Sequence, residues 1–309
     1  MSYRIGLDGG GTKTGCLLVD LAGHTVATHT GPGCNPSILG QEQATVVATA
    51  LLGSFRDQAA AHYLKTHGHS ADPHTLISVT LLCMAGHRGF WQEFAANLRG
   101  FGRVSTTDDS LPVLELATDG QPGLVLHSGT GSFVAARAPD GSVHYAGGKG
   151  WRFDDAGSGY DLGARAISRG LLELQGWAPA SGLGAAVRGV TQLDASATPS
   201  AVTGFFYQQA EANRVIAGLA PTVLKLAAEN DPAAREIVLA STGALLDLGL
   251  AVANKLFSAH QLPALRAGLS GPILNHPVAR AALVARAPFQ LTSVDGAPIE
   301  GVRRLLGRM

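Results

Sequence analysis

The chain has 309 residues, 46% hydrophobic and 15% charged, which is typical of compact globular proteins and excludes a disordered chain. Its formal net charge is zero, so composition favours neither a nucleic-acid partner nor a strongly basic or acidic protein partner. The N-terminus lacks the pattern of a signal peptide, and the apolar stretch 244–253 is broken by Asp247 and too short to span a bilayer. Three cysteines without CxxC spacing favour a reducing, cytoplasmic location.

The first third of the chain predicts a β-meander followed by alternating helices and strands. Apolar runs separated by glycine turns indicate strands at 5–8, 15–20 and 24–29. Beyond them we expect a helix at 41–61, a polar surface loop at 62–74, a strand at 75–84, a helix at 90–98 and a strand at 103–107. This alternation is typical of an α/β lobe.

The strand–turn–strand pattern recurs in the middle of the chain, at 123–127, 133–137 and 142–146. A repeated pattern of this kind predicts two related lobes. After residue 159 we expect mainly helices, at 162–174, 201–228 and 233–259, then a strand at 264–269 and a final helix at 300–306. The predicted fold class is therefore α/β, with most of the sheet in the first half.

A glycine-rich turn follows the first predicted strand, with the sequence Asp8-Gly9-Gly10-Gly11-Thr12-Lys13-Thr14. Its glycines permit positive φ and expose backbone N–H groups in a concave turn, which suits a phosphate. The threonines add hydroxyl donors and Lys13 adds a positive charge, while Asp8 is placed to hold a hydrated magnesium ion. A tight hairpin with a surface lysine is the alternative, but three consecutive glycines favour phosphate binding.

A second turn, Ser128-Gly129-Thr130-Gly131-Ser132, offers the same chemistry. Alone it is equally compatible with a structural turn. Two phosphate-binding hairpins that face each other would form a clamp for a triphosphate, so each turn supports the interpretation of the other.

Phosphoryl transfer also benefits from a carboxylate that accepts the proton of the acceptor hydroxyl. Thr106-Thr107-Asp108-Asp109 lies between the two turns, at the end of a predicted strand and before a helix. Asp is also a common helix N-cap. One of the two aspartates could cap the helix while the other does chemistry, and we favour Asp108 as the base.

Two further glycine-rich segments are candidates for ligand binding. The run 147–159 is long and glycine-dense, as functional loops often are, and Asp155 within it could accept hydrogen bonds from sugar hydroxyls. Gly268-Leu269-Ser270-Gly271-Pro272 follows a predicted strand and precedes a helix, so Gly268 and Gly271 could form a shelf for a purine.

Other site classes find little support in the sequence. There is no P-loop, no strict GxGxxG and no GxSxG serine elbow. The histidines at 62, 67, 69 and 74 lie in the predicted polar loop without a helical register, which disfavours a metal site there.

Together these motifs resemble the sugar kinase–actin–heat-shock ATPase superfamily and, within it, the BadF/BadG/BcrA/BcrD ATPase family, which includes N-acetylglucosamine kinase. The similarity runs from Ile5 to about residue 165 and resumes at 268–271 and 297–301. The opening turn is moderately specific. Its combination with Thr107-Asp108, the second turn and residues 155–159 is highly specific.

The resemblance implies two actin-like (ribonuclease H-like) lobes with a central ATP cleft. Residues 1–117, joined by the C-terminal segment 293–309, would form one lobe and 118–292 the other. It also implies that Asp8 supports magnesium, that Thr12 and Thr130 contact ATP and that Asp108 is the base. The residues implied to face the sugar, whose 6-hydroxyl would be the acceptor, are Asn35, Asp108, Gly148 and Asp155.

The chain departs from the family pattern in the expected sugar pocket. The N-acetylglucosamine kinases usually carry tryptophan at the position of Lys149 and Gly-Asp-Glu-Gly-Ser at the position of 154–158. The mammalian enzyme has asparagine at the position of Phe133. These changes place Lys149 among the expected substrate contacts and leave the ATP clamp intact, so the reaction class is better defined than the sugar.

The sequence thus predicts a cytoplasmic kinase that uses ATP and Mg²⁺ to phosphorylate N-acetylglucosamine or glucosamine, in a family that often dimerises through the second lobe. A kinase of another small sugar is one alternative, and an ATPase activator of radical dehydratases is another. Those activators use cysteine-ligated iron–sulfur clusters, for which Cys16, Cys34 and Cys83 are not a credible ligand set. A sugar-responsive repressor is disfavoured, because such proteins carry a preceding helix-turn-helix and the first phosphate strand here begins by Ile5.

Overall fold

The computed structural model describes residues 2–153, 155–194 and 196–309, so Asp154 of the predicted glycine-dense run lies outside the described residues. Contacts between residues divide the chain into two compact units. Unit 1 comprises Met1–Asp119 and Asp295–Met309, and unit 2 comprises Gly120–Val294. Within the described residues each unit contains a five-stranded sheet with helices packed on it. The predicted α/β class is confirmed.

The elements follow one another along the chain as two sets. The strands are β1 (Tyr3–Gly9), β2 (Lys13–Asp20), β3 (Thr25–Pro32), β4 (Ile77–Met84), β5 (Arg103–Thr107), β6 (Gly123–Ser128), β7 (Ser132–Arg137), β8 (Val143–Gly147), β9 (Arg266–Ser270) and β10 (Leu291–Ser293). The helices are α1 (Pro36–Leu39), α2 (Gln41–His67), α3 (Pro73–Leu76), α4 (Arg88–Asn97), α5 (Ser110–Thr118), α6 (Gly159–Leu174), α7 (Gly182–Thr191), α8 (Pro199–Gln208), α9 (Ala212–Ala217), α10 (Ala220–Ala228), α11 (Pro232–Leu256), α12 (Pro277–Arg286) and α13 (Pro298–Gly307).

The sheet of unit 1 has the strand order β3-β2-β1-β4-β5. Strands β1, β2 and β3 form an antiparallel meander, whereas β4 pairs parallel with β1 and β5 pairs parallel with β4. Successive side chains of a strand point to opposite faces. Leu18 packs in the cluster that includes Leu52 of α2, while its neighbour Leu17 packs with Val302 of α13. Both faces are therefore covered, which explains the almost continuous apolar runs of these strands.

The sheet of unit 2 has the order β10-β9-β6-β7-β8, which repeats the arrangement of unit 1. Strands β6, β7 and β8 form a second antiparallel meander, and β9 and β10 extend it in parallel. Leu124 and Leu126 of β6 pack against Leu245 and Leu246 of α11 in the main core of this unit. The strand–turn–strand repeat in the sequence thus corresponds to a repeat of sheet topology.

The C-terminal helix α13 packs on α5 and β1 of unit 1. At Gly301 the two helices lie so close that a Cβ would be 2.1 Å from the carbonyl oxygen of Pro112. Arg308, just past the helix, forms ion pairs with the fully buried Glu115 at 2.6 Å and with Asp119 at 3.0 Å. Helix α13 therefore fixes the helix that begins directly after β5.

Several predicted boundaries are wrong. Helix α2 continues to His67 and ends at Gly68, whose φ of 74° provides a left-handed C-cap, so 62–67 is helical and not a loop. The predicted helix at 201–228 is divided into α8, α9 and α10, since Gly218 ends α9 and Pro221 lies in the first turn of α10. Helix α7 and strand β10 were not predicted, and both are short.

The apolar stretch 244–253 lies in helix α11, which is longer than the stretch considered in the sequence analysis. The stretch 244–253 belongs to a helix of 25 residues that is, by length and composition, apolar enough to cross a membrane. Half of its most apolar 18-residue window is buried inside unit 2, where Leu246 and Ala253 belong to the core. A core helix of a globular unit has the same character, so the length of α11 alone is weak evidence for a membrane span.

We expect Arg308→Ala to lower the free energy of unfolding by about 2 kcal/mol, because it removes the cation that neutralises the buried Glu115 carboxylate. Arg304→Ala is the matched control, since the Arg304–Asp119 pair is exposed and 3.7 Å long, and it should change stability by less than about 0.5 kcal/mol. Urea unfolding followed by circular dichroism measures both. Equal effects of the two substitutions would contradict the role given to Glu115.

Candidate functional site

The turn between β1 and β2 is shaped by close packing. None of Gly9, Gly10 and Gly11 has a positive φ, contrary to the expectation from sequence. Glycine leaves room there instead: a Cβ on Gly9 would lie 2.5 Å from Met84 Cε and one on Gly11 would lie 2.6 Å from Ile38 Cδ1, so either would have to displace the end of a neighbouring side chain. The Gly10 N–H donates to the Lys13 carbonyl at 3.0 Å, which closes the turn.

The two threonines of this turn have different environments. Thr14 is fully buried, and its hydroxyl donates to the Pro32 carbonyl at 2.8 Å. Thr12 and Lys13 are exposed at the tip. The side chains available to a ligand are therefore those of Thr12 and Lys13, while the Thr14 side chain holds β2 to the end of β3.

The turn between β6 and β7 shows the same division. Ser128 and Ser132 are buried, and their hydroxyls donate to the carbonyls of Gly157 and Ala156. Thr130 is exposed at the tip. The two turns therefore share a design in which an outer threonine faces solvent and inner hydroxyls bind the fold.

The turn of unit 2 is also joined to the predicted sugar-binding loop. The Ser132 N–H donates to Asp155 Oδ1 at 2.9 Å, and the Gly159 N–H donates to the Gly129 carbonyl at 2.9 Å. Gly131 lies close enough that a Cβ there would be 3.5 Å from the Asp155 carboxylate. The structure thus brings Gly129, Thr130 and Gly131 together with Asp155.

The predicted purine shelf lies beside this turn. Gly268 is buried within β9, opposite Val125 of β6. Gly271 follows the strand with a φ of 90°, and a Cβ there would lie 1.9 Å from the Ser128 carbonyl oxygen. Asn275 Nδ2 donates to the carbonyl of Gly271 at 3.1 Å and so holds the shelf in place. Only glycine at 271 permits this approach to the end of β6.

Of the remaining sugar-binding candidates, Gly148 and Lys149 follow β8 in unit 2 and are exposed. Gly148 has a φ of 60°, and its backbone lies against the Tyr145 hydroxyl. Asn35 lies in unit 1 as the N-cap of α1, where its Oδ1 accepts the Ser37 N–H at 2.9 Å. The amide nitrogen is then the part of Asn35 that a ligand could engage.

The carboxylates of unit 1 meet at the carboxyl ends of three parallel strands. Asp8 of β1 is in register with Cys83 of β4, and Cys83 is in register with Thr107 of β5, directly before Asp108 and Asp109. Burial raises the pKa of Asp8 to about 6, partly opposed by the charge of Lys13. Burial, followed by the charges of Asp108 and Asp8, raises the pKa of Asp109 to about 7. Burial is the first cause of both raised pKa values, and repulsion from Asp108 and Asp8 adds to that of Asp109.

The sequence favours Asp108 as the base and leaves the capping of the helix to its neighbour, and the structure differs from this expectation. Asp108 Oδ1 accepts the Ser110 N–H at 2.9 Å and so helps to cap α5, whereas Asp109 makes no side-chain capping bond. Asp108 is nevertheless the exposed member of the pair, and Asp109 is the more buried one. The capping bond uses one oxygen of Asp108, and the Asp108 side chain is also within hydrogen-bonding reach of the Asp109 side chain.

The donor set fits magnesium in one specific way. Among the described residues, no group of three or more His, Cys, Asp or Glu side chains is arranged to hold a metal ion by itself. Mg²⁺ usually keeps several waters and binds one or two carboxylates together with substrate phosphates. Asp8 suits that mode, because its raised pKa indicates a carboxylate whose charge a nearby cation would stabilise.

Sequence reasoning missed a row of stacked rings across the sheet of unit 2. His127 stacks on Phe133 at 4.8 Å between ring centroids, and Phe133 stacks on Tyr145 at 5.3 Å. His127 Nδ1 also lies 3.1 Å from Ser270 Oγ, which joins the ends of β6 and β9 beneath the turn and the shelf. The sequence does contain a signal for this stack. Residues 127 and 133 flank the turn of the predicted strand–turn–strand unit and are direct cross-strand partners.

Comparison with known proteins places these features in a family. The model of the BadF/BadG/BcrA/BcrD ATPase family matches residues 5–261. The N-acetyl-D-glucosamine kinase of Dictyostelium discoideum is 24% identical over 82% of this chain and 79% of its own. The N-acetylmuramic acid/N-acetylglucosamine kinase of Clostridium acetobutylicum is 26% identical over 55% of this chain and 54% of its own, so the alignment spans about half of that relative. A crystal structure from Chromobacterium violaceum, provisionally assigned as an N-acetylglucosamine kinase, superposes with a TM-score of 0.76 at 28% identity over 99% of both chains.

His127 gives the site a pH-dependent stability. Burial lowers its pKa to about 4 from 6.5. Between these pH values the unfolded chain binds more protons, so the stability that neutral His127 provides is complete above pH 6.5 and is lost as the pH falls towards 4, by up to about 3 kcal/mol. His127→Asn keeps a polar group near Ser270 without titrating in this range. The difference between the urea-unfolding curves of wild type and variant should therefore change with pH, and a constant difference would contradict the assignment.

Proposed function

Since the chain belongs to the BadF/BadG/BcrA/BcrD ATPase family, we propose that it is an ATP-dependent kinase that phosphorylates the 6-hydroxyl of N-acetylglucosamine or glucosamine. The observation that carries this proposal is the meeting of Asp8, Asp108 and Asp109 at one edge of the unit 1 sheet, beside a glycine turn. That edge offers a general base and a magnesium ligand in a single unit. The named kinases among the relatives support the same reaction class.

Asp108 is the proposed base. It lies at the carboxyl end of β5, is exposed, and has one carboxylate oxygen that the Ser110 N–H does not use. That oxygen would accept the hydroxyl proton as the sugar oxygen bonds to the γ-phosphorus and the bond to ADP breaks. Asp109 is less suited to this role, because it is the more buried of the two carboxylates and so less open to an acceptor hydroxyl.

The phosphates are assigned to the two turns. Thr12 and Lys13, with the Gly10–Gly11 backbone, would bind them in unit 1, and Thr130 with Gly129 and Gly131 would do so in unit 2. Thr14 and Ser128 would contribute through their backbone, because their hydroxyls are bonded within the fold. Asp8 would hold Mg²⁺ through its water shell, and the ion neutralises phosphate charge when it is bound.

The remaining assignments concern adenine and sugar. Gly268 and Gly271 would support the purine, with Gly271 approaching the Ser128 carbonyl at the end of β6 and Gly268 lying within β9 just before it. The proposed sugar contacts are Asn35, Asp108, Gly148, Lys149 and Asp155. A cytoplasmic location and a homodimer complete the proposal, the first supported by three buried free cysteines.

Asp108→Asn should reduce sugar-stimulated ADP release by about 10²- to 10⁴-fold, because the variant cannot accept the hydroxyl proton. ATP binding, measured by calorimetry, should persist. A coupled assay across hexoses and amino sugars tests this, with Asp109→Asn as the neighbouring control, expected to lose less than about tenfold. Sugar-independent hydrolysis by wild type, or a reversed order of the two variants, would contradict the assignment.

Thr12→Val and Thr14→Val separate ligand binding from folding. Thr12→Val should raise the KM for ATP several-fold and leave the melting temperature unchanged, because its hydroxyl faces solvent. Thr14→Val should lower the free energy of unfolding by about 1–2 kcal/mol, since it leaves the Pro32 carbonyl without its donor. Thermal unfolding and ATP titrations of both variants measure these effects. A destabilised Thr12→Val protein would contradict the assignment of Thr12 to ligand binding and of Thr14 to folding.

A further inference from the structure

A small cavity lies beside the predicted sugar-binding turn of unit 2. Its volume is about 180 Å³. The walls are the Gly147–Gly148 turn, Ser132, Ala156 and three residues of α11, Ala244, Leu245 and Leu248. Gly148 is one of the proposed sugar contacts, and Asp155 directly precedes Ala156. A substituent of a sugar bound there would therefore reach the cavity.

The walls of this cavity are apolar or backbone. None of the lining side chains is ionisable. The single polar one belongs to Ser132, whose hydroxyl already donates to the Ala156 carbonyl at 2.7 Å. A charged group that entered would lose hydration and meet no side chain of opposite charge in these walls, whereas an alkyl group would leave water and pack against Leu245 and Leu248.

The cavity is also firmly built. A Cβ on Gly157 would lie 2.8 Å from Leu245 Cβ, and one on Gly147 would lie 3.1 Å from Leu248 Cδ2, so the two loops rest directly on α11. Residues 241, 244, 245 and 248 share one face of this helix. Ser241 Oγ donates to Asp161 Oδ2 of α6 at 2.7 Å, which fixes that face against the next helix. The back wall is therefore rigid.

We propose that this cavity receives the acyl part of a 2-acylamino sugar and that it accepts acyl groups longer than acetyl. The inference rests on the proposed function, because it requires the sugar to lie against Gly148. An apolar cavity of about 150 Å³ can hold benzene. The cavity here has a volume of about 180 Å³ and is partly open, so it has room for an acyl group one or two carbons longer than acetyl. Glucosamine, with a free ammonium group, would leave the cavity unused.

The first test compares wild-type kcat/KM for glucosamine and its N-acetyl, N-propanoyl and N-butanoyl derivatives. We expect the N-acetyl sugar to exceed glucosamine at least tenfold. Propanoyl should equal or exceed acetyl, by up to about fourfold for one additional buried methylene. Asp155 borders the cavity, and a preference for glucosamine would indicate that this carboxylate binds an ammonium group and would overturn the proposal.

The second test fills the cavity. Ala244→Leu should reduce kcat/KM for the propanoyl and butanoyl sugars at least tenfold and leave the KM for ATP unchanged. Ala240→Leu, one turn earlier on α11 and exposed outside the cavity, is the matched control and should have no effect. Melting temperatures exclude misfolding of either variant. Equal losses for all four sugars, or no loss for the longer ones, would overturn the proposal.

Calorimetry with the same four sugars distinguishes a failure of the proposed kinase function from a failure of the proposed acyl-binding cavity. Binding that strengthens with acyl length, in a protein that phosphorylates none of the sugars, would refute the kinase and support the cavity. Phosphorylation that is indifferent to the acyl group would support the kinase and refute the cavity.

Discussion

The candidate site depends on the parallel pairing of β1, β4 and β5. Register along these strands places Asp8, Cys83 and Thr107 side by side, and the chain continues from Thr107 into two aspartates. Burial disfavours the charged form of these carboxyl groups and raises the pKa values of Asp8 and Asp109, and at Asp109 repulsion from Asp108 and Asp8 adds to the effect. Holding these carboxyl groups together lowers the stability of the fold, but it also creates a place where a cation binds or a carboxylate accepts a proton. Functional sites often combine these two properties.

The two glycine turns show how one short motif serves folding and binding together. In each, a buried hydroxyl at the strand end bonds a neighbouring segment, Thr14 to Pro32 and Ser132 to Ala156. These bonds hold the backbone beneath the exposed threonine at the tip of each turn. Equivalent turns occur in both units because both sheets share one strand order. The duplication therefore extends from topology to the bonding of individual side chains.

Local signals in the sequence predicted the strands, the glycine turns and the family, and the family match confirms the last of these. Such features are encoded within a few neighbouring residues, as in the run from Asp8 to Thr14. A positive φ at those glycines was predicted incorrectly, and the side chains that approach them, Met84 and Ile38, come from other segments of the chain. The cavity against Leu245 and Leu248 was inaccessible, since it requires knowing which helix packs on the loops, whereas the stack of His127 on Phe133 lies in a predicted hairpin and was overlooked. The predicted end of helix α2 was too early, because the polar histidines near its end were read as a loop and Gly68 was not recognised as the C-cap.

The position of α13 has a consequence for how the protein is made. Unit 2 is one continuous segment, whereas unit 1 is completed by residues that follow it. During synthesis a continuous unit can fold as soon as it emerges, while a discontinuous one must wait for its last piece. Until Arg308 leaves the ribosome, Glu115 lacks this cation and α5 lacks the helix that packs across it. We therefore expect the acidic edge of unit 1 to be stabilised after the turn of unit 2 has formed.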